Sequence, residues 1–206
     1  MSGFPDAAFL LSAAAPGQFP PDRGVEIAFA GRSNAGKSSA INAILERRAL
    51  ARTSKTPGQT RLINFFGIRP DARIVDLPGY GYARVAQQER AQWGPLIDGL
   101  RKRGAFRGLF LVVDVRRGVR PEDLALIEWA QPQRRRVHVL LAKADKLNRA
   151  SRAAALARAR AQLAGSATAQ LFSALEGTGV EQAQRELALW LAELKDPGGR
   201  EATGVD

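Results

Sequence analysis

Apolar and polar positions along the chain alternate between two rhythms. Val25-Glu26-Ile27-Ala28-Phe29-Ala30 is a short, nearly continuous apolar run that stops at Gly31, as a buried strand does. From Lys37 to about Arg48 the apolar residues Ile41, Ile44 and Leu45 recur at helical spacing. A polar stretch containing Pro and Gly leads to two further strand candidates, Leu62 to Ile68 and Arg73 to Leu77. Gly108 to Val115 and Val137 to Ala142 are the pattern of strands covered on both faces. Amphipathic segments at about 87–100, 121–130, 149–163 and 179–195 read as the helices between them.

This alternation predicts an α/β fold, a mostly parallel sheet with helices on both faces. The connection between 62–68 and 73–77 is too short for a helical crossover, so that pair is expected to be antiparallel. No internal repeat or Gly/Ser/Pro-rich interior linker interrupts the pattern. A single domain is expected over 23–195, with an N-terminal extension (1–22) packed on it and a flexible C-terminal tail (196–206).

Composition narrows the chemistry. The chain has no cysteine and one histidine, His138, which excludes disulfides, thiolate zinc sites and a multi-histidine metal site. The apolar stretch from Ala7 to Ala15 is short and not preceded by basic residues, so it does not read as a signal peptide. No run approaches the roughly 18 apolar residues of a membrane span. A cytoplasmic location without membrane contact is expected. With 31 Lys+Arg against 20 Asp+Glu, the net charge is +11, which favours a polyanionic partner.

Three local patterns carry candidate chemistry. Gly31-Arg32-Ser33-Asn34-Ala35-Gly36-Lys37-Ser38 satisfies G-x-x-x-x-G-K-[ST] between a strand and a helix. Its backbone N–H groups and the helix N-terminus suit phosphate oxygens. Lys37 would pair the β- and γ-phosphates, and the Ser38 hydroxyl would hold Mg²⁺. Asp76-Leu77-Pro78-Gly79 follows a later strand, supplying a carboxylate for the metal and a glycine N–H for the γ-phosphate. Ala142-Lys143-Ala144-Asp145 ends another strand. A carboxylate there accepts from the N1–H and 2-amino group of guanine, a donor pair that adenine lacks, and the Lys143 stem can cover the base. GTP is the expected substrate, ahead of a P-loop ATPase or kinase and of a GTPase acting on tRNA modification or membrane remodelling.

The wording of these motifs resembles the EngB (YihA/YsxC) family of bacterial ribosome-biogenesis GTPases, within the TrmE-Era-EngA-YihA-septin-like superfamily. The residues carrying the likeness run from Glu26 to Ser39, Thr53 to Thr60, Asn64 to Phe66 and Asp76 to Ala83. The resemblance implies a three-layer Ras-like G domain with a six-stranded sheet and one antiparallel strand. It implies that Thr60 acts at Mg²⁺ and the γ-phosphate, that Gly58, Gln59, Arg61 and Leu62 line that side, and that Phe172-Ser173-Ala174 presents a backbone N–H to the guanine oxygen. Lys37, Thr60, Gly79 and Asn34 would carry the reaction, and Ser38, Thr60 and Asp76 the metal. Asn34 has two readings, a ligand for K⁺ against the phosphates or a cap of the loop backbone. Ala142 replaces the usual Thr or Asn that ties the base loop to the phosphate loop, so somewhat weaker nucleotide binding is expected. Tyr80 stands where Ras-like proteins carry a water-orienting Gln, so hydrolysis should be slow. The implied role is that of a monomeric GTP/GDP switch in large ribosomal subunit assembly, needed for normal cell division and septation.

The basic residues cluster at Arg101, Lys102, Arg103 and Arg107, at Arg134 to Arg136, at Arg116, Arg117 and Arg120, and at Arg47, Arg48, Arg52 and Arg61. The first two groups precede strands and so belong at the sheet end opposite the nucleotide. At least one cluster is expected to contact RNA through phosphates and shape. Trp93, Trp129 and Trp190 are expected in the core.

Overall fold

The computed structural model describes residues 4–51, 62–80, 86–132 and 135–193. They form seven strands, β1 (Ala8–Ala13), β2 (Val25–Gly31), β3 (Ile63–Arg69), β4 (Ala72–Asp76), β5 (Phe106–Asp114), β6 (Arg136–Ala142) and β7 (Thr168–Leu171). The helices are α1 (Lys37–Ile44), α2 (Ala86–Arg101), α3 (Pro121–Ala130), α4 (Arg149–Leu163) and α5 (Val180–Glu193). The sheet order is β1-β3-β4-β2-β5-β6-β7. β3 runs antiparallel to both of its neighbours, and the other pairings are parallel. The α/β class and the antiparallel hairpin are as expected. The strand count is corrected from six to seven, because Ala8–Ala13 of the N-terminal extension joins the sheet as an edge strand.

Alternate residues of the central strands feed two cores. Ile27, Phe29, Phe110 and Val112 pack with Ile41 and Ile44 of α1 and Leu187 and Trp190 of α5. Ala28, Ala30, Leu109, Leu111 and Val113 pack with Leu96 and Leu100 of α2, Ile127 of α3, and Ala159 and Leu163 of α4. Both faces are therefore buried, which is why β2 and β5 read as continuous apolar runs rather than alternating ones. The stacked rings of Phe29 and Phe110, 4.9 Å apart, tie the two strands that flank the phosphate-loop end. Trp190 is buried in the first core, and Trp129 packs against the second.

A buried charge cluster anchors the opposite end of the sheet. Glu26 is fully buried and accepts from Arg73 at 2.6 Å and from Arg103 at 2.7 Å. The same guanidiniums donate to the carbonyls of Pro20, Pro21 and Arg23. The segment leading into β2 is thus fixed by hydrogen bonds that also satisfy the buried charges. Removing one partner from such a set costs about 3–5 kcal/mol, because the remaining charge is left buried alone.

His138 in β6 sits between Thr168 and Gln170 of β7, with Nδ1 2.6 Å from Thr168 Oγ1 and Nε2 3.0 Å from Gln170 Oε1. Burial lowers its pKa below the ordinary 6.5, and the pull of Gln170 and Glu186 toward the charged form does not reverse that. The unfolded chain therefore binds the proton more readily than the folded one. This contribution to stability is complete above pH 6.5 and is lost as pH falls below it. Urea midpoints measured from pH 7.5 to 5 should decline, and His138→Gln should flatten that decline.

Candidate functional site

The loop joining β2 to α1 is shaped by close packing. A side chain at Gly31 would place its Cβ 2.7 Å from the Val112 carbonyl, so β5 admits only glycine there. Asn34 and Gly36 take left-handed backbone conformations, with φ of 63° and 107°. Gly36 caps α1, and Lys37 and Ser38 form its first turn. The helix thus opens directly at the loop, the arrangement suited to an anion.

Asp76 ends β4 beside this loop and pairs with the Lys37 ammonium. The turn after it packs on the loop itself. Ser33 N–H donates to the Tyr80 carbonyl at 2.9 Å, and Arg32 bridges to Tyr80 as a short parallel strand contact. A Cβ at Gly79 would lie 3.0 Å from Ser33 Oγ, so the glycine permits this approach. Tyr80 in turn donates its hydroxyl to Asp123 of α3 at 2.5 Å. Burial, reinforced by the Asp123 carboxylate, pushes the Tyr80 hydroxyl far above its ordinary pKa, so it stays a donor. Arg32 lies 3.4 Å from Glu122 of the same helix.

On the other side of the loop, β6 ends at Ala142 and the chain turns through Lys143, also left-handed at φ 62°. The Lys143 ammonium donates to the Asn34 carbonyl at 2.5 Å and to Asp114 Oδ2 at 3.1 Å. Its stem passes 3.9 Å from where a Gly36 Cβ would be. Asp145 Oδ1 accepts from the buried Ser173 hydroxyl at 2.7 Å. That bond, with the Lys146 ammonium beside it, holds the Asp145 carboxyl below the usual range. Asp145 Oδ2 is buried and pairs with the Lys146 ammonium at 3.1 Å. A buried charged acceptor of this kind suits an incoming pair of N–H donors. Arg152 of α4 secures both base-side loops, donating to the Ala144 and Leu147 carbonyls and to Glu176.

The fold therefore brings together the predicted residues Gly31 to Ser38, Asp76 to Gly79 and Ala142 to Asp145. Phe172 and Ser173 lie beside them: Ala144 N–H donates to the Phe172 carbonyl at 3.0 Å, and Ala174 is exposed in the following turn. Leu62 is exposed just before β3. Gly58, Gln59, Thr60 and Arg61, like Arg52 and Arg134, lie outside the described residues, as does the expected tail. Asp114, Arg116, Tyr80, Asp123 and Arg152 also belong to the site's framework. Asp114 had one available signal, its place at the C-terminal end of an apolar strand, where α/β sheets bind ligands.

The donor set suits Mg²⁺. It offers one carboxylate and one hydroxyl, both hard oxygens, and Mg²⁺ commonly completes its shell with substrate phosphates and water. Among the described residues no cluster of three His, Cys, Asp or Glu side chains could hold a metal by protein ligands alone.

Not every arginine is a surface charge. Arg103 donates to Glu26, and Arg135 donates to the Phe106, Arg101 and Arg103 carbonyls and lies 4.5 Å over the Phe106 ring. Both are buried, and they hold the sheet end together rather than facing a partner. Arg116 remains half-exposed but forms a two-pronged ion pair with Asp114. Arg101, Lys102, Arg107, Arg117, Arg120 and Arg136 are exposed.

Residues 26–143 match the family described as 50S ribosome-binding GTPase. The chain is 49% identical over 192 residues to "Probable GTP-binding protein EngB" of Aromatoleum aromaticum, covering 91% of this chain and 89% of that protein. It is 47% identical over 205 residues to the protein of the same description from Azoarcus sp., covering 95% and 98%. Among solved structures, the crystal structure of a probable GTP-binding protein engB aligns with a TM-score of 0.66 at 22% identity, over 82% of this chain and all of that one. Era in complex with MgGDPNP and nucleotides 1506–1542 of 16S ribosomal RNA aligns with a TM-score of 0.61 at 21% identity, over 88% and 60%. At such identities the structural likeness speaks for the fold.

Sheet order, the loop between β2 and α1, and the family match across it make the molecule a P-loop GTPase. Within that class, identities of 44% and above over nine-tenths of the chain decide the branch. The chain belongs to the EngB family of GTP-binding proteins.

Proposed function

We propose that this GTPase binds GTP with Mg²⁺ between the Gly31–Ser38 loop, the Asp76–Gly79 turn and the Lys143–Asp145 loop, hydrolyses it slowly, and acts as a switch in large ribosomal subunit assembly. Normal cell division and septation depend on that assembly step. Residues 23–195 form the nucleotide domain, working as a cytoplasmic monomer. The observation that carries the ribosomal part is the match over 26–143 to a family described as 50S ribosome-binding, and the +11 charge agrees with an RNA surface as target. No helix among the described residues is long and apolar enough to cross a membrane.

Lys37, paired with Asp76 here, would neutralise the β- and γ-phosphates, and Asp76 and the Ser38 hydroxyl would hold Mg²⁺, with Thr60 joining them in the triphosphate state. Mg²⁺ would supply charge neutralisation across the phosphates. Gly79, already against the loop, offers its N–H to the γ-phosphate, and Asp145 reads guanine. Tyr80 is engaged with Asp123 and does not orient a water, which fits slow turnover. At Asn34, faster hydrolysis in K⁺ than in Na⁺ would assign that residue to the ion, and equal rates would leave it a loop cap.

Sedimentation with purified large subunits tests the ribosomal reading: the protein should pellet with them in the presence of a non-hydrolysable GTP analogue and much less with GDP. Ser38→Ala tests the metal. It should weaken Mg²⁺-dependent GTP binding about tenfold and GDP binding less, because the γ-phosphate relies most on the ion. Titration with and without chelator reads both values.

A further inference from the structure

Asp114 ends β5 and belongs to none of the nucleotide motifs. Parallel pairing of β5 with β6 sets it opposite Ala142, the residue immediately before Lys143. The Ala142 methyl has no polar atom with which to hold the base loop to the phosphate loop. Asp114 places a carboxylate on the neighbouring strand, within reach of Lys143. It is 6% exposed, and its Oδ2 accepts from Lys143 at 3.1 Å and from Arg116 at 2.7 Å, while Oδ1 accepts from Arg116 Nε at 3.0 Å and the Arg116 N–H at 3.1 Å. Arg116 is itself fixed by the turn that closes β5, where the Arg117 and Gly118 N–H groups return to the Asp114 carbonyl.

We propose that Asp114, held by Arg116, is a positioning residue for the guanine nucleotide: it aims Lys143 so that one ammonium joins the base loop to the phosphate loop at Asn34. Among the described residues the lysine has two partners, the Asn34 carbonyl and Asp114. Without the carboxylate, a single carbonyl would restrain a side chain with four rotatable bonds, and its stem would no longer be kept beside Gly36. Arg116 bears on the balance as well. By sharing the carboxylate it keeps Asp114 from drawing the lysine fully off Asn34. Burial alone would raise the Asp114 carboxyl, but the hydrogen bonds from Arg116 and Lys143 outweigh it and hold the group ionised. The effect falls on nucleotide affinity in both states, since base and phosphate loops are shared by GTP and GDP.

The inference rests on the proposed nucleotide site, and its test separates the two. In the full-length protein, Asp114→Asn should weaken GTP and GDP binding alike, by about tenfold, and speed GDP release by a similar factor. KM should rise while turnover at saturation holds, the signature of lost uniform binding. Combined with Lys143→Met, the losses should not add, because the carboxylate acts through that lysine. Arg116→Ser, at a half-exposed position and with the Lys143 ammonium still paired to Asp114, should move affinity the same way by a smaller factor. Unchanged affinity in Asp114→Asn and Arg116→Ser would overturn the proposal, as would losses that add to those of Lys143→Met. If Asp145→Asn, measured alongside, also left GTP binding intact, the site reading itself would fall, and the inference with it.

Discussion

Asp145→Asn is expected to reduce GTP affinity by about tenfold to a hundredfold or more, corresponding to ~1.5–3 kcal/mol of charge-assisted hydrogen bonding. The amide presents a donor where guanine also presents one, so the loss includes a repulsive contact as well as a missing bond. Xanthine has a 2-oxo group in place of the 2-amino group, so affinity for xanthosine triphosphate should rise in the same variant. The structure sharpens the expectation. Ser173 anchors Oδ1 from behind, and the Lys146 ammonium sits beside the buried Oδ2. The carboxylate is therefore pre-aimed, and little reorganisation dilutes the effect. Equilibrium titrations with fluorescent guanosine and xanthosine nucleotides read both affinities. A variant that bound GTP as well as the parent would remove Asp145 as the base reader.

What the sequence showed in advance follows the range over which each signal acts. The phosphate loop was legible because glycine spacing, lysine and hydroxyl lie within eight residues and sit between a strand and a helix. Asp76 and Asp145 became legible as strand-end carboxylates downstream of that loop. Asp114 did not, since a lone strand-end aspartate acquires a role only when parallel pairing brings it to Lys143, 29 residues on. β1 was missed as a strand because Ala8–Ala13 lies at an edge with most of its residues exposed, so it lacks the two-sided apolar signal of β5. β7 is four residues long, and its buried Gln170 is there to satisfy His138 and the Gly179 carbonyl. The arginine runs did not reveal which of their members lie inside. Charge in a loop reads as solvated surface, but a buried glutamate and a set of loop carbonyls draw Arg103 and Arg135 inward. Pairings of this kind depend on the assembled sheet.

Those two arginines alter what the charge can do. If the protein meets ribosomal RNA, its arginines and lysines release counterions on binding, and log affinity should fall linearly with log salt. A docking face that neutralises about 6–10 phosphates would lose roughly 10³–10⁵ in affinity between 50 and 200 mM salt. Arg103 and Arg135 take no part in this, because both are buried and committed to the protein's own acceptors. Arg116 is shared with Asp114, so its substitution would confound RNA binding with nucleotide binding. Arg117 and Arg120 are the clean probes on the nucleotide side, and Arg107 and Arg136 the matched probes at the opposite end of the sheet. Arg117→Ser with Arg120→Ser should lower affinity for the large subunit and reduce the salt slope by about one unit or less for each phosphate no longer neutralised. The far-side pair should matter less if the nucleotide face docks. On that face the subunit would also sense the bound nucleotide, so it should favour GTP over GDP and by linkage tighten GTP binding by the same factor. A salt-insensitive association, or equal binding in the two nucleotide states, would exclude docking through the switch face.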